Sequence, residues 1–103
     1  MLTVITTTTI KPGGERDWDA AYQERAADAR TQPGWIDLHL LAPVDDAHQR
    51  VVIGTWRDRP DWERWHESET FQRTRATMDA VTSVSGEDRW YEVIEDRSSP
   101  DQM

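Results

Sequence analysis

Residues 2–10, LTVITTTTI, are dense in β-branched side chains and place Leu2, Val4 and Ile10 on one face and Ile5 on the other, which predicts a strand. Lys11-Pro12-Gly13-Gly14 ends it, and Glu15, Asp17 and Asp19 suit the positive end of a helix dipole. Trp18, Tyr22, Ala26 and Ala29 then recur at helical spacing up to the breaker Pro33-Gly34. Residues 35–42 read as a second strand with Ile36, Leu38 and Leu40 on one face and Trp35, Asp37, His39 and Leu41 on the other. A polar loop from Pro43 to Gln49 joins it to a third strand over residues 50–57, a separation that fits a hairpin.

Asp58 fits an N-cap, with Asp61 three residues on and Pro60 in the first turn, where a missing N–H costs little. Trp62, Trp65 and His66 follow at i, i+3 and i+4. Ser68 fits the cap of a restarted helix carrying Phe71, Arg75, Met78 and Val81 on roughly one face, so a helix with a kink near Ser68 is expected. A last strand is expected from Arg89 to Glu95, and residues 96–103 read as a disordered tail, which leaves one domain over residues 1–95.

The order is βαββαβ: an α+β, ferredoxin-like, split βαβ arrangement of four antiparallel strands with two helices on one face. The third strand carries apolar side chains on both faces, Val51 and Ile53 opposite Val52 and Trp56. Helices cover one face only, so a second copy of the chain is the expected cover of the other, giving a two-fold homodimer.

Composition narrows the chemistry. The 103 residues hold no cysteine, which excludes disulfides, cysteine nucleophiles and thiolate-bound metals. Twelve basic residues against 20 acidic ones give a net charge of −8, and the eleven arginines and single Lys11 are interspersed with acids, so no nucleic-acid partner is expected. No apolar run reaches the ~20 residues of a membrane span, and the first residues lack a basic leader; a cytoplasmic protein with no membrane partner is expected. The three histidines, nine and eighteen residues apart, lack the close pairing of a metal site, and Gly13-Gly14 lacks the spacing of a nucleotide loop.

The succession of strand, KPG turn, amphipathic helix, Pro33-Gly34-Trp35 at the next strand and the string from Trp56 through Trp62, Trp65 and Ser68 to Phe71 resembles the antibiotic biosynthesis monooxygenase family of dimeric α+β barrels. The resemblance covers roughly residues 2–95. It implies a homodimer with one pocket per subunit between sheet and helices, and a reaction without metal or flavin on an anthrone-like, quinol-like or polycyclic aromatic substrate and O2. The same family holds haem-degrading oxygenases and members with other activities, so the scaffold does not fix the function. The haem branch uses a histidine where this chain has Arg75 and an asparagine on the first strand, and this sequence contains no asparagine; His66, on the face of Trp62 and Trp65, is the candidate substitute ligand, and the two departures make haem degradation the minority reading.

Oxygenation without a cofactor needs a dry pocket, a base and an anion stabiliser. Tyr22, Trp56, Trp62 and Trp65, from different elements, are the expected aromatic walls with Phe71, or else plain core. His66, on the face of Trp62, is the candidate base, or a half-exposed histidine beside Glu67 and Glu69. Arg75 either holds a substrate anion or pairs with Asp79 on the surface. His39 lies either in the pocket or at the dimer face, His48 belongs to the solvated loop, and Thr6 and Thr8 are candidate cavity hydroxyls. A small-molecule binder without catalysis, or an isomerase-like protein on the same scaffold, is the alternative function, and a haem-degrading monooxygenase ranks after both.

Overall fold

The computed structural model describes residues 1–97. The chain forms β1 (Leu2–Ile10), α1 (Glu15–Ala29), β2 (Trp35–Leu41), β3 (Gln49–Trp56), α2 (Arg59–His66), α3 (Glu69–Ala80) and β4 (Thr82–Glu92). All but the first two residues of the tail expected at 96–103 lie outside the described residues.

The strands make one antiparallel sheet in the order β2-β3-β1-β4, the ferredoxin-like arrangement expected. Because successive side chains alternate faces, the rows of this sheet assign its two sides. Val4 lies beside Gly54 and Trp90, and Thr6 beside Val52 and Asp88; these side chains face the helices. The neighbouring row of His39, Ile53, Ile5 and Arg89 points the other way. Val51, Leu41, Val84 and Tyr91 extend that second face, and the last three are exposed.

The helix side holds two separate clusters. One joins Ile10 of β1, Trp18, Ala21 and Tyr22 of α1, and Met78 of α3; the other joins Ala29, Trp56, Trp65 and Phe71. Trp56 is fully buried, with its ring centroid 5.2 Å from that of Trp65.

Local chemistry sets the helix ends. The Asp58 side chain accepts from the backbone N–H of Asp61 at 3.1 Å, the cap expected there. Ser68 is extended, with ψ 151°, and its hydroxyl oxygen accepts from the Phe71 N–H at 3.2 Å. The kink expected near Ser68 is therefore a full break, and the face carries three helices instead of two. The Ser68 hydroxyl also donates to Asp28 at 2.8 Å, tying the break to α1.

Asp61 locks the start of α2 onto the turn before β2. Its carboxylate is buried, accepts from Arg64 at 2.9 Å, and has Arg57 Nη2 at 2.7 Å as an ion pair without hydrogen-bond geometry. It sits against Gly34, whose φ of +82° few residues besides glycine adopt and where a Cβ would lie 2.0 Å from Oδ2.

Two elements depart from expectation. β4 begins at Thr82 rather than Arg89 and ends at Glu92 rather than Glu95. Residues 82–88, TSVSGED, hold one apolar side chain, so hydrophobic alternation gives no strand signal. The pairing rests on the backbone of β1, through a register jump between Thr6–Asp88 and Thr8–Ser85. Gly86 permits that bulge, since a Cβ there would lie 1.7 Å from the Thr7 carbonyl oxygen. Trp35 was expected opposite Leu38, yet both pack on the second cluster. The cause is a bulge in β2: Trp35 pairs with Trp56 and Asp37 with Thr55, leaving Ile36 as the extra residue.

Candidate active-site cleft

A cleft runs between the sheet and the helices and draws its walls from both clusters, with Trp18, Tyr22 and Met78 from one and Trp56, Trp65 and Phe71 from the other. It encloses about 140 Å³ and reaches about 740 Å³ when counted out to its open mouth. The enclosed part matches a single aromatic ring, since an apolar cavity of ~150 Å³ holds benzene. Thr6 and Thr8 of β1, with Thr82, Ser85 and Asp88 of β4, give the cleft a hydroxyl-rich side opposite the aromatic one. Thr6 donates to Asp88 at 2.6 Å.

Eight of the ten residues singled out from the sequence line this cleft: Thr6, Thr8, Tyr22, Trp56, Trp62, Trp65, His66 and Phe71. His39 and Arg75 do not. His39 stands on the opposite face of the sheet, beside Ile53, with its side chain 64 % exposed. Arg75 is exposed on α3, its guanidinium carbon 5.5 Å from the Phe71 ring centroid, and it forms no ion pair with Asp79 among the described residues. The register of the strand and the turn of the helix aim these two outward. His48 pairs with Glu15 at 2.5 Å, away from the cleft.

His66 closes α2 and is packed among rings: its centroid is 3.5 Å from Trp62 and 4.0 Å from Phe71. Nδ1 lies 2.8 Å from the Trp62 carbonyl oxygen. A carbonyl only accepts, so the neutral ring carries its proton on Nδ1 and keeps a lone pair on Nε2. Burial is the main cause that pushes the imidazole down to about 4; Arg25 from α1 and Arg75 from α3 act in the same direction, against the Trp62 bond and Asp88 of β4. His66 is therefore neutral at pH 7.

That shift has a consequence for stability. The unfolded chain binds a proton at His66 near pH 6.5 and the folded chain does not, so the effect is absent above about pH 7 and destabilises progressively as the pH falls toward 4. Urea titrations at pH 7.5 and 4.5 read it: the wild type should lose roughly 2 kcal/mol more over this interval than His66→Phe. An equal loss in both proteins would mean that the ring protonates freely in the fold.

Burial also raises the Tyr22 phenol to about 12, so it remains a neutral donor; its ring stacks on Trp18 at 5.7 Å. Two further donors on the cleft wall lack partners. The indole N–H groups of Trp56 and Trp65 are buried with no acceptor among the described residues, a condition that costs about 1 to 3 kcal/mol for each group.

The residue that sequence reasoning passed over is Arg25. It lines the cleft from α1, donates through Nε to Thr74 Oγ1 at 3.0 Å and through Nη2 to the Phe71 carbonyl at 3.2 Å, and lies 3.7 Å from the Phe71 ring centroid. The signal was present: position 25 is three residues after Tyr22 and four before Ala29, on the buried stripe of the helix.

Comparison with the curated proteins finds no match to the sequence. Solved structures share the fold. SnoaB, a cofactor-independent oxygenase from Streptomyces nogalater, is 21% identical, with 98% of this chain and 97% of that one covered at a TM-score of 0.79. PA3566 from Pseudomonas aeruginosa is 24% identical over 91% of this chain and 94% of its own, at a TM-score of 0.82. Rv0793 from Mycobacterium tuberculosis is 15% identical over 94% and 98%, at 0.84. The family model for antibiotic biosynthesis monooxygenase matches residues 1–77, which takes in the first three strands, the break at Ser68 and most of the cleft wall. The chain belongs to the antibiotic biosynthesis monooxygenase family.

Proposed function

We propose that the protein is a monooxygenase that works without metal or flavin on an aromatic small molecule of the anthrone or hydroquinone type. One observation carries this reading: a neutral imidazole with its Nδ1 proton engaged by Trp62 and its Nε2 lone pair unused among the described residues, in a cleft walled by tryptophans. Nε2 of His66 takes a proton from an acidic C–H or O–H of the substrate. The resulting anion is electron-rich enough to reduce O2, first by one electron and then by radical recombination to a peroxide. Loss of water from the peroxide leaves a carbonyl. For a methylene substrate the balance is CH2 + O2 → C=O + H2O: the carbon gives up four electrons, O2 takes four, and one oxygen atom enters the product. The enclosed volume of about 140 Å³ suits one ring at the reacting end, with any further rings in the mouth.

The test is oxygen uptake by chelator-treated protein as a reduced anthrone or a hydroquinone is added. Saturable uptake above the no-protein control supports the reading; absence of uptake across both classes overturns it. The depressed basicity of His66 favours the second reading, a binding protein that performs no oxidation, and that protein would bind the same compounds without consuming oxygen.

The second sheet face supports a homodimer. Ile5, Val51, Ile53, Leu41 and Tyr91 form an apolar surface that no described element covers, a surface that a two-fold copy would bury sheet to sheet. Light scattering at micromolar concentration should give twice the chain mass of 12.0 kDa, and a monomer mass would overturn the assembly.

A further inference from the structure

Two of the eleven arginines are half-buried, Arg25 and Arg50, and the two are built differently. Arg50 is held by both oxygens of Asp19, at 2.9 and 3.1 Å, which raises its basicity. Arg25 has only neutral partners, the Thr74 hydroxyl, the Phe71 carbonyl and the Phe71 ring, and no carboxylate within 4.0 Å among the described residues. Burial and the nearby Arg75 charge bring it down to about 10, with Asp79 opposing. An unpaired guanidinium is expensive to desolvate. In a chain with 20 acidic residues, an ion-pair partner was readily available.

The fixed part of Arg25 is tied to α3 through Nε and Nη2, while Nη1 donates to no described group. The side chain borders the cleft, beside the rings that would enclose an aromatic ligand. The two carboxylates of the same cleft, Asp79 and Asp88, are exposed, and Asp88 is engaged by Thr6. The cleft thus offers a cation at its aromatic end and acids on its exposed border.

We propose that the cleft selects an aromatic acid, with a ring among Trp56, Trp65 and Phe71 and a carboxylate on the Arg25 guanidinium. This rests on the cleft being the substrate site and names the substrate class of the proposed oxygenase; it does not depend on the redox step. A carboxylate supplies the charge that the chain leaves out, and the planar guanidinium matches its two oxygens.

The probes are 2-naphthoate and its neutral isostere 2-naphthamide, titrated calorimetrically at pH 7.5 against the wild type, Arg25→Gln, Arg25→Lys and Arg75→Gln. Neither probe is an anthrone or a hydroquinone, so the outcome is separate from oxygen uptake. The wild type should bind the acid at least about tenfold more tightly than the amide, the range expected for hydrogen bonds to a charged group. Arg25→Gln should erase the difference, Arg25→Lys should keep part of it, and Arg75→Gln should leave it intact. Equal affinities in the wild type, no binding of the acid at millimolar concentration, or an unchanged preference in Arg25→Gln would each overturn the proposal. If Arg25→Gln does not fold, the wild-type pair of affinities and Arg25→Lys decide it. Acid-selective binding without any oxygen uptake would uphold the ligand class and reject the oxygenase.

Discussion

Replacing His66 with glutamine should lower oxygen uptake by about 10²- to 10⁴-fold, the range that a positioned general base contributes. Glutamine fills a similar space and still offers an N–H to the Trp62 carbonyl, but it has no lone pair of imidazole basicity, so packing and base chemistry are separated. The pH profile provides a second reading. With the ring held near 4, kcat/KM should be flat from about pH 6 to 8 and fall as the pH drops toward 4 and Nε2 becomes protonated. Imidazole added to His66→Ala should restore part of the rate. Arg75→Gln is the contrast: that side chain is exposed and lies outside the cleft. An exposed charge is worth at most about 1 kcal/mol, so its rate should stay within about fivefold of wild type. A full rate in His66→Gln would overturn the assignment of the base, and a large loss in Arg75→Gln would mean that the arginine swings inward during turnover.

Trp56→Ala should cost about 3 to 5 kcal/mol of stability, the usual range for emptying a fully buried tryptophan site. That is a large part of the ~5 to 15 kcal/mol that holds a domain of this size. Trp56 has no exposed surface, stacks on Trp65, and ends β3 between Leu2 of β1 and Trp35 of β2. Its loss removes the joint between the sheet and α2. Urea unfolding followed by far-UV circular dichroism measures the effect, with Trp56→Phe expected to lose roughly half as much. A cost below about 1 kcal/mol would show that the neighbouring cleft lets the walls collapse into the vacated space.

The sequence was most legible where structure is decided locally. Asp58 and Ser68 announce helix starts because the cap is made within three residues, and both make that bond. β1 was legible over its whole length because its β-branched residues alternate against two neighbours. The tryptophans were expected to converge from separate elements, and Trp56 and Trp65 stack while Trp62 meets Trp90 edge to edge. What sequence reasoning missed depends on distant partners. β4 starts early because β1 offers it a backbone, and Trp35 turns inward because Ile36 is an extra residue against β3. Arg25 was overlooked because a charged residue on a helix reads as solvated, although its spacing from Tyr22 placed it on the packed stripe.

The threonine run of β1 shows how the sheet keeps its alignment. Thr6 and Thr8 face the cleft while Thr7 and Thr9 face the other side, so sliding the strand by one residue exchanges threonine for threonine over this stretch and changes little in burial. The run is blind to such a slip, unlike an alternating apolar strand, where the same slip turns every core side chain outward. Discrimination falls to the flanks, where Val4 is buried, Ile5 faces out and Ile10 closes the first cluster. Along the run itself it falls to Gly86, the residue on β4 that can approach the Thr7 carbonyl without a clash. The cleft wall is thus chemically uniform along the threonine run, and the apolar flanks together with one glycine on the neighbouring strand distinguish the native alignment from the next.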